Sequence, residues 1–482
     1  MTSTNTLDSP PLTGGTPVVG THWTRATWAL LVVLCGALFL DSLDISMVGV
    51  ALPSIGSDLH MDPGSLQWIV SAYVLGYGGL LLLGGRAADL IGRRQVFLAA
   101  VTVFGAASLV SAFMSNDTTL IALRLIKGAA AAFTVPAGLS IITTTFAEGP
   151  ARNRALSIYT VCGASGFSLG LVFGGFLTEL GWRATFLAPA PVALLIVAVG
   201  YRLLPRSSRE RITLGHFDLT GALTSTGSLL VLVYAVVDAP NRGWGDPVTL
   251  GLFAVSAALM IAFVAAELRH HSPLVRLGIL RSRTVVHANV AGAAMFGGYV
   301  SFQFVVTLYL QDSLGWSPIA MAFGFLPAGL LVMASAPRMG AILERFDTAL
   351  LIFGGLLAFV VGYTLFLRTS PGDNYFNFLL PTMLLLGVGF ALAFPSINAQ
   401  ATSGVQAHEQ GLASGLVNTS IQIGGAIVLA VATAILGNGG KRVPGELLPG
   451  MSTVIGVSVG VSAVGLLLTG FVLATKRRTF DA

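Results

Sequence analysis

The sequence predicts an all-α polytopic membrane protein, and three observations carry that prediction. Only 10% of the 482 residues are charged and 54% are hydrophobic, whereas a soluble domain carries about 25% charged residues to cover its surface. The apolar residues are gathered into runs long enough to cross a bilayer, and the mean hydropathy of the chain is +0.82. The basic residues cluster at alternate ends of these runs. Inside hydrocarbon every backbone amide must be satisfied within its own segment, so such runs are helices. Soluble enzyme, nucleic-acid binder and disordered scaffold are all excluded on these grounds. A pI near 9.4 does not restore a nucleic-acid role, because the net charge is only +5.

A spanning helix needs about 20 apolar residues to cross about 30 Å of hydrocarbon. Fourteen runs meet the requirement, at about 28–53, 66–84, 96–115, 119–145, 155–179, 184–203, 218–237, 248–267, 284–310, 317–337, 348–367, 376–396, 410–436 and 449–474. The first is preceded by a polar tail, residues 1–27, and runs on past the length of a signal-peptide core, so a retained first span behind a disordered tail is expected. Nineteen Lys and Arg, from Arg25 to the Lys476-Arg477-Arg478 tail, fall on the side of the N-terminus; five, Arg183, Arg242, Arg368, Lys441 and Arg442, fall on the other. Short cytoplasmic loops hold the excess of bases. Both termini are therefore expected in the cytoplasm of a plasma (inner cell) membrane. Cys35 and Cys162 lie inside apolar runs and read as packing residues rather than a disulfide or metal ligands.

Nearly all charges sit in loops or at span ends, and four do not: Asp41 and Asp44 in span one, Arg124 and Lys127 in span four. An ionisable residue inside the bilayer costs at least a few kcal/mol unless paired or hydrated, which makes it a functional-site hypothesis. At about 1.5 Å per residue, Asp41 and Asp44 lie about 20 and 24 Å from the inner edge, Lys127 and Arg124 about 18 and 22 Å. The spans are antiparallel and each pair is spaced i, i+3, on one helical face. Asp44 is thus expected against Arg124 and Asp41 against Lys127, or all four in a shared cluster in a polar cavity. Two roles fit: static salt bridges between helices, or a carboxylate that takes up and releases a proton beside a tuning base.

Sequence around these residues carries a resemblance. Leu43 to Pro53 (LDISMVGVALP), Trp68 to Leu75, and Gly85-Arg86-Ala87-Ala88-Asp89-Leu90-Ile91-Gly92-Arg93-Arg94 resemble signatures of the 14-span drug:proton antiporters of the major facilitator superfamily. Gly85, Asp89, Gly92, Arg93 and Arg94 match its cytoplasmic gate loop: glycines allow a tight turn, the basic pair holds the anionic inner leaflet, and the resemblance places Asp89 near Glu409 to Gly411 at the start of span thirteen. A plain topogenic charge cluster is the simpler reading of that loop. Leu120 to Ala132 resembles the span-four motif, with Arg124 and Gly128 at its basic and glycine positions and Lys127 where glutamine is usual. Gly163, Gly166, Gly170, Gly174 and Gly175 resemble the exporter glycine motif, with Leu171 in place of its proline; their spacing also suits ordinary close packing. Gly181 to Phe186, Phe217 to Gly221, Tyr309-Leu310-Gln311, Gly411 to Gly415 and Gln422 to Ala426 extend the resemblance along nearly the whole chain.

The resemblance implies a major facilitator fold: two six-helix halves at 28–203 and 284–474, a helix pair with its loops inserted at 204–283, and a cytoplasmic tail at 475–482. Substrate binds between such halves at the membrane midplane, where Tyr77, Phe296, Tyr299, Asn418 and Gln422 are the pocket candidates. The expected activity is proton-coupled export of amphipathic drugs, antibiotics or toxic small molecules by alternating access, with a lipid or secreted-metabolite exporter as the alternative and a non-transporting sensor or scaffold as a third. No nucleophile–base set, phosphate loop or metal cluster is legible in the sequence, so neither an enzyme nor a cofactor is expected; protons are the coupling ion. A monomer in contact with membrane lipids is expected, with no nucleic-acid partner.

Overall fold

The computed structural model describes residues 23–147, 150–205, 219–269, 277–370, 372–405, 410–437 and 443–480. Fifteen α-helices follow one another: α1 (Arg25–Asp58), α2 (Pro63–Ile91), α3 (Arg93–Ser111), α4 (Asp117–Thr145), α5 (Pro150–Glu179), α6 (Arg183–Leu187), α7 (Pro189–Leu203), α8 (Leu219–Arg242), α9 (Pro247–Arg269), α10 (Arg283–Leu308), α11 (Pro318–Arg345), α12 (Thr348–Phe366), α13 (Tyr375–Thr402), α14 (Gln410–Gly437) and α15 (Met451–Phe480). Each predicted span falls on one helix, except that span six is divided between α6 and α7, where Pro189 lacks the amide a continuous helix would use. Among the described residues twelve helices are long and apolar enough to cross a membrane. Helices α2 and α8, 29 and 24 residues long, stand at the positions of predicted spans two and seven. The chain is a multi-pass membrane protein.

Helix starts follow local chemistry. Thr24, Asp62, Asn116, Ser317 and Asp347 each accept a hydrogen bond from an amide of the first turn, satisfying donors that hydrocarbon could not. Between α2 and α3 the chain turns on Gly92 at φ 111, a left-handed conformation that favours glycine.

The packing repeats. Helix α1 lies along α5, α2 along α4, and α3 along α4 and α7; in the second part of the chain α10 lies along α14, α11 along α13, and α12 along α13 and α15. Matching α1 to α10, α2 to α11, α3 to α12, α4 to α13, α5 to α14 and α7 to α15 therefore maps one group of helices onto the other. The two groups meet along two equivalent seams, α5 with α11 and α2 with α14. Helix α8 covers the second seam: Val233, Val236 and Val237 pack on Val74 and Leu75 of α2 and on Ala426 and Ala430 of α14, and α9 packs on α8. At the end of the molecule where α1 finishes, Gln311, in a π-helical turn at Tyr309–Ser313, donates from Nε2 to the Val50 carbonyl at 2.9 Å.

Candidate functional site

Asp41, Asp44, Arg124 and Lys127 are buried together, with 5, 0, 2 and 0% of their surface exposed. Asp44 accepts from both bases: Arg124 Nη1 donates to Oδ2 at 2.6 Å, and Lys127 Nζ donates to Oδ1. Arg124 also donates from Nε to the Ile69 carbonyl at 2.9 Å, and its guanidinium lies 4.5 Å from the centre of the Tyr73 ring. Lys127 Nζ donates to Ser108 Oγ at 2.8 Å, and that hydroxyl donates to the Phe186 carbonyl at 2.9 Å. The ammonium also lies 4.7 Å from the centre of the Phe104 ring. Asp41 receives instead the hydroxyl of Tyr73.

The expected Asp44–Arg124 pair is present and the expected Asp41–Lys127 pair is not. Depth arithmetic placed all four at one level, but it said nothing about helices that come between. Gly128 lets α2 press against α4 so closely that a methyl group there would overlap the Tyr73 carbonyl. Tyr73 then fills the place beside Asp41, while Ser108 and Phe104 of α3 draw Lys127 to the other side. The four residues do form one cluster, centred on Asp44. With both carboxylates ionised its charges cancel, which is how two acids and two bases can be buried at all. Tyr73 was missed as a member; it lies seven residues into span two, at the depth of Asp41, so the same arithmetic extended to tyrosine finds it.

Four glycines of α5 build the wall on the opposite side of α1. Gly163, Gly166, Gly170 and Gly174 face Leu38, Phe39, Leu43 and Met47 in succession, and a methyl group at Gly170 would stand 2.6 Å from the Leu43 carbonyl oxygen. Gly175 faces across the seam, against Ile319 of α11. In the gate loop, Gly85 lies against Pro136 with ordinary spacing, Gly92 makes the turn, and Arg94 donates to the Tyr201 carbonyl at 2.5 Å. Arg93 begins α3. The side chain of Asp89 and residue Glu409 lie outside the described residues, and with them the expected contact.

The pocket candidates occupy separate packing positions. Tyr77 stacks beside Tyr73 with ring centres 6.2 Å apart. Tyr299 joins the two helix groups, its ring 6.0 Å from Phe167 and 4.7 Å from Phe390. Phe296 packs on Gly425 and Gln422 on Gly78, both at helix crossings, and Asn418 donates to the Ser414 carbonyl of its own helix. Three polar positions had no role assigned to them from the sequence, although Gln311 lies in the Tyr309-Leu310-Gln311 match. Gln67 donates to the Val237 carbonyl at 3.2 Å and accepts from Thr433, joining α2, α8 and α14; Gln311 has been described; and His287, buried at the start of α10, contacts Thr469 at 2.8 Å and Gln400.

The two repeated helix groups meet along two seams, with the buried polar cluster in the first group. The model of the Major Facilitator Superfamily matches residues 34–429, and the chain belongs to that family. It is 38% identical over 464 residues to a puromycin resistance protein of Streptomyces alboniger, covering 93% of this chain and 91% of that one. It is 34% identical to a cephamycin export protein of Amycolatopsis lactamdurans, covering 93% of each. Among solved structures it resembles a human organic anion transporter, with a TM-score of 0.63 at 16% identity over 93% of this chain and 100% of that one. At that identity the likeness shows the fold alone.

Proposed function

We propose that the protein is a proton-coupled exporter of amphipathic drugs or antibiotics, a 14-span carrier in which residues 28–203 and 284–474 rock against each other around an inserted pair at 204–283. Both termini face the cytoplasm in this reading, and the Gln311–Val50 contact joins the two halves near their outer end. The observation that carries the reading is the neutral four-charge cluster joining α1 and α4, a costly arrangement to keep in hydrocarbon without a use. The antibiotic resistance and export functions of the relatives supply the substrate class. Expression in an efflux-deficient host should lower puromycin accumulation severalfold, and a protonophore should abolish the difference. Unchanged accumulation across a panel of amphipathic antibiotics, or export indifferent to the protonophore, would overturn it. The cephamycin relative favours one second reading, export of a secreted metabolite, for which loss of the protein would lower secretion and leave drug susceptibility unchanged.

A further inference from the structure

The two carboxylates of the cluster are not equivalent, and we infer that Asp41 carries the coupling proton while Asp44 remains ionised as a fixed counter-charge for Arg124 and Lys127. The inference rests on the proton-coupled reading above and divides its labour between two residues three positions apart.

Asp44 is unsuited to protonation. Each of its oxygens faces a cationic donor, Arg124 Nη1 on Oδ2 and Lys127 Nζ on Oδ1. An arginine or lysine head group has no lone pair to offer, so a proton on Asp44 would point at a donor and leave two buried cations without their common partner. Breaking a buried pair in this way is among the costlier changes a protein can suffer. Asp41 has a partner of the other kind. The Tyr73 hydroxyl that donates to it can also accept. When Asp41 is ionised, Tyr73 donates; when Asp41 is protonated, the acid hydroxyl donates and Tyr73 accepts. Neither state sets a donor against a donor or takes the counter-charge from a buried cation.

Access also separates the two. Asp44 has no exposed surface, whereas Asp41 retains a little and lines a small cavity with Ala37, Leu40, Val101, Phe104, Ala131 and Thr134. The cavity has room for about one water. Ala37 and Thr134 lie toward the end where α1 starts, the cytoplasmic end in the reading above, so the cavity marks the side toward which a proton leaves Asp41, as export driven by inward proton flow requires. Among the described residues the titratable groups near enough to act on Asp41 are Asp44 on its own helix, Tyr73 and Tyr77 on α2, Arg124 and Lys127 on α4 and Tyr159 on α5, and α3 contributes Val101 and Phe104 to the cavity wall. Protonation leaves the cluster with one net positive charge and deprotonation leaves it neutral. A cationic substrate beside it is thereby opposed by the proton and admitted without it.

The test is infrared titration of the purified full-length protein, which reads the carbonyl stretch of protonated buried carboxyls and needs no substrate. In a Glu267→Gln background, which removes the remaining buried carboxyl among the described residues, the protein should show one such band that disappears as pH rises. Asp41→Asn should lack it, and Tyr73→Phe should move its midpoint. Asp44→Asn alone can unfold, so the counter-charge is tested in the double variant Asp44→Asn/Lys127→Gln, which removes one charge of each sign and should retain the band. In proteoliposomes Asp41→Asn should lose pH-driven puromycin uptake. A band that survives Asp41→Asn, or vanishes only in the double variant, would overturn the assignment. Wild-type export insensitive to a protonophore would instead sink the parent reading, with the assignment of the band unaffected.

Discussion

Lys127 stands where the family motif usually has glutamine, and its surroundings account for a lysine. Its ammonium has three substitutes for water: the Asp44 carboxylate, the Ser108 hydroxyl and the faces of Phe104 and Phe186, 4.7 and 5.2 Å away. Through Ser108 the chain of contacts continues to the Phe186 carbonyl, so one side chain connects α1, α4, α3 and α6. Lys127→Gln leaves Asp44 with Arg124 and takes away one charge-assisted bond, which should lower stability by about 1–3 kcal/mol. Thermal unfolding of the purified variant measures this; an unchanged midpoint would mean that Asp44 does not depend on the lysine. The depth at which these four residues sit was legible in the sequence, since a helix rises by a constant amount per residue. Their pairing was not, because it depends on which third helix intrudes, and Tyr73 and Ser108 look like ordinary members of an apolar run.

Close approach is the recurring device at the level of helices. Gly128 brings α4 against α2 at Tyr73, and Gly170 brings α5 against α1 at Leu43, between the two carboxylates. The cluster is held from both sides by backbones that touch without side chains between them, the packing mode favoured where lipid supplies no hydrophobic drive. Gly170→Ala has no space for its methyl group and should cost about 1–3 kcal/mol by overpacking, visible as a lower unfolding temperature. Gly128→Ala should do the same and, by displacing Tyr73 from Asp41, should also shift the carboxyl titration; a shift with Gly170→Ala but none with Gly128→Ala would contradict the placement. Four of the five α5 glycines singled out by resemblance thus have a direct packing explanation against α1, and with leucine at position 171 α5 is continuous from Pro150 to Glu179. Span positions were readable because hydrophobic runs of fixed length have few alternatives. The break at Pro189 and the π-helical turn before Leu314 were not, since both alter the backbone inside a run that remains apolar throughout.

At the scale of the whole molecule α8 and α9 lie outside the repeat and break an otherwise symmetric plan. Both seams between the helix groups are related by the repeat, yet only the α2–α14 seam carries α8 on its outside. Gln67 is the fixing point, bonded to the Val237 carbonyl of α8 and to Thr433 of α14. Gln67→Leu and Thr433→Val, measured singly and together, should show a coupling of about 0.5–3 kcal/mol in unfolding experiments; strict additivity would mean that the contact carries no energy. The packing of α8 on one seam lay beyond the sequence, where hydrophobic runs give the order of helices but not the side on which each settles. Chain order adds a consequence for biogenesis. A nascent chain delivers α2 first, then α8, and α14 much later. When α8 enters the bilayer, Gln67 and the Val74–Leu75 face are already waiting, while Thr433 has yet to be translated. The last wall of that seam is therefore translated only after the other two sides of its slot.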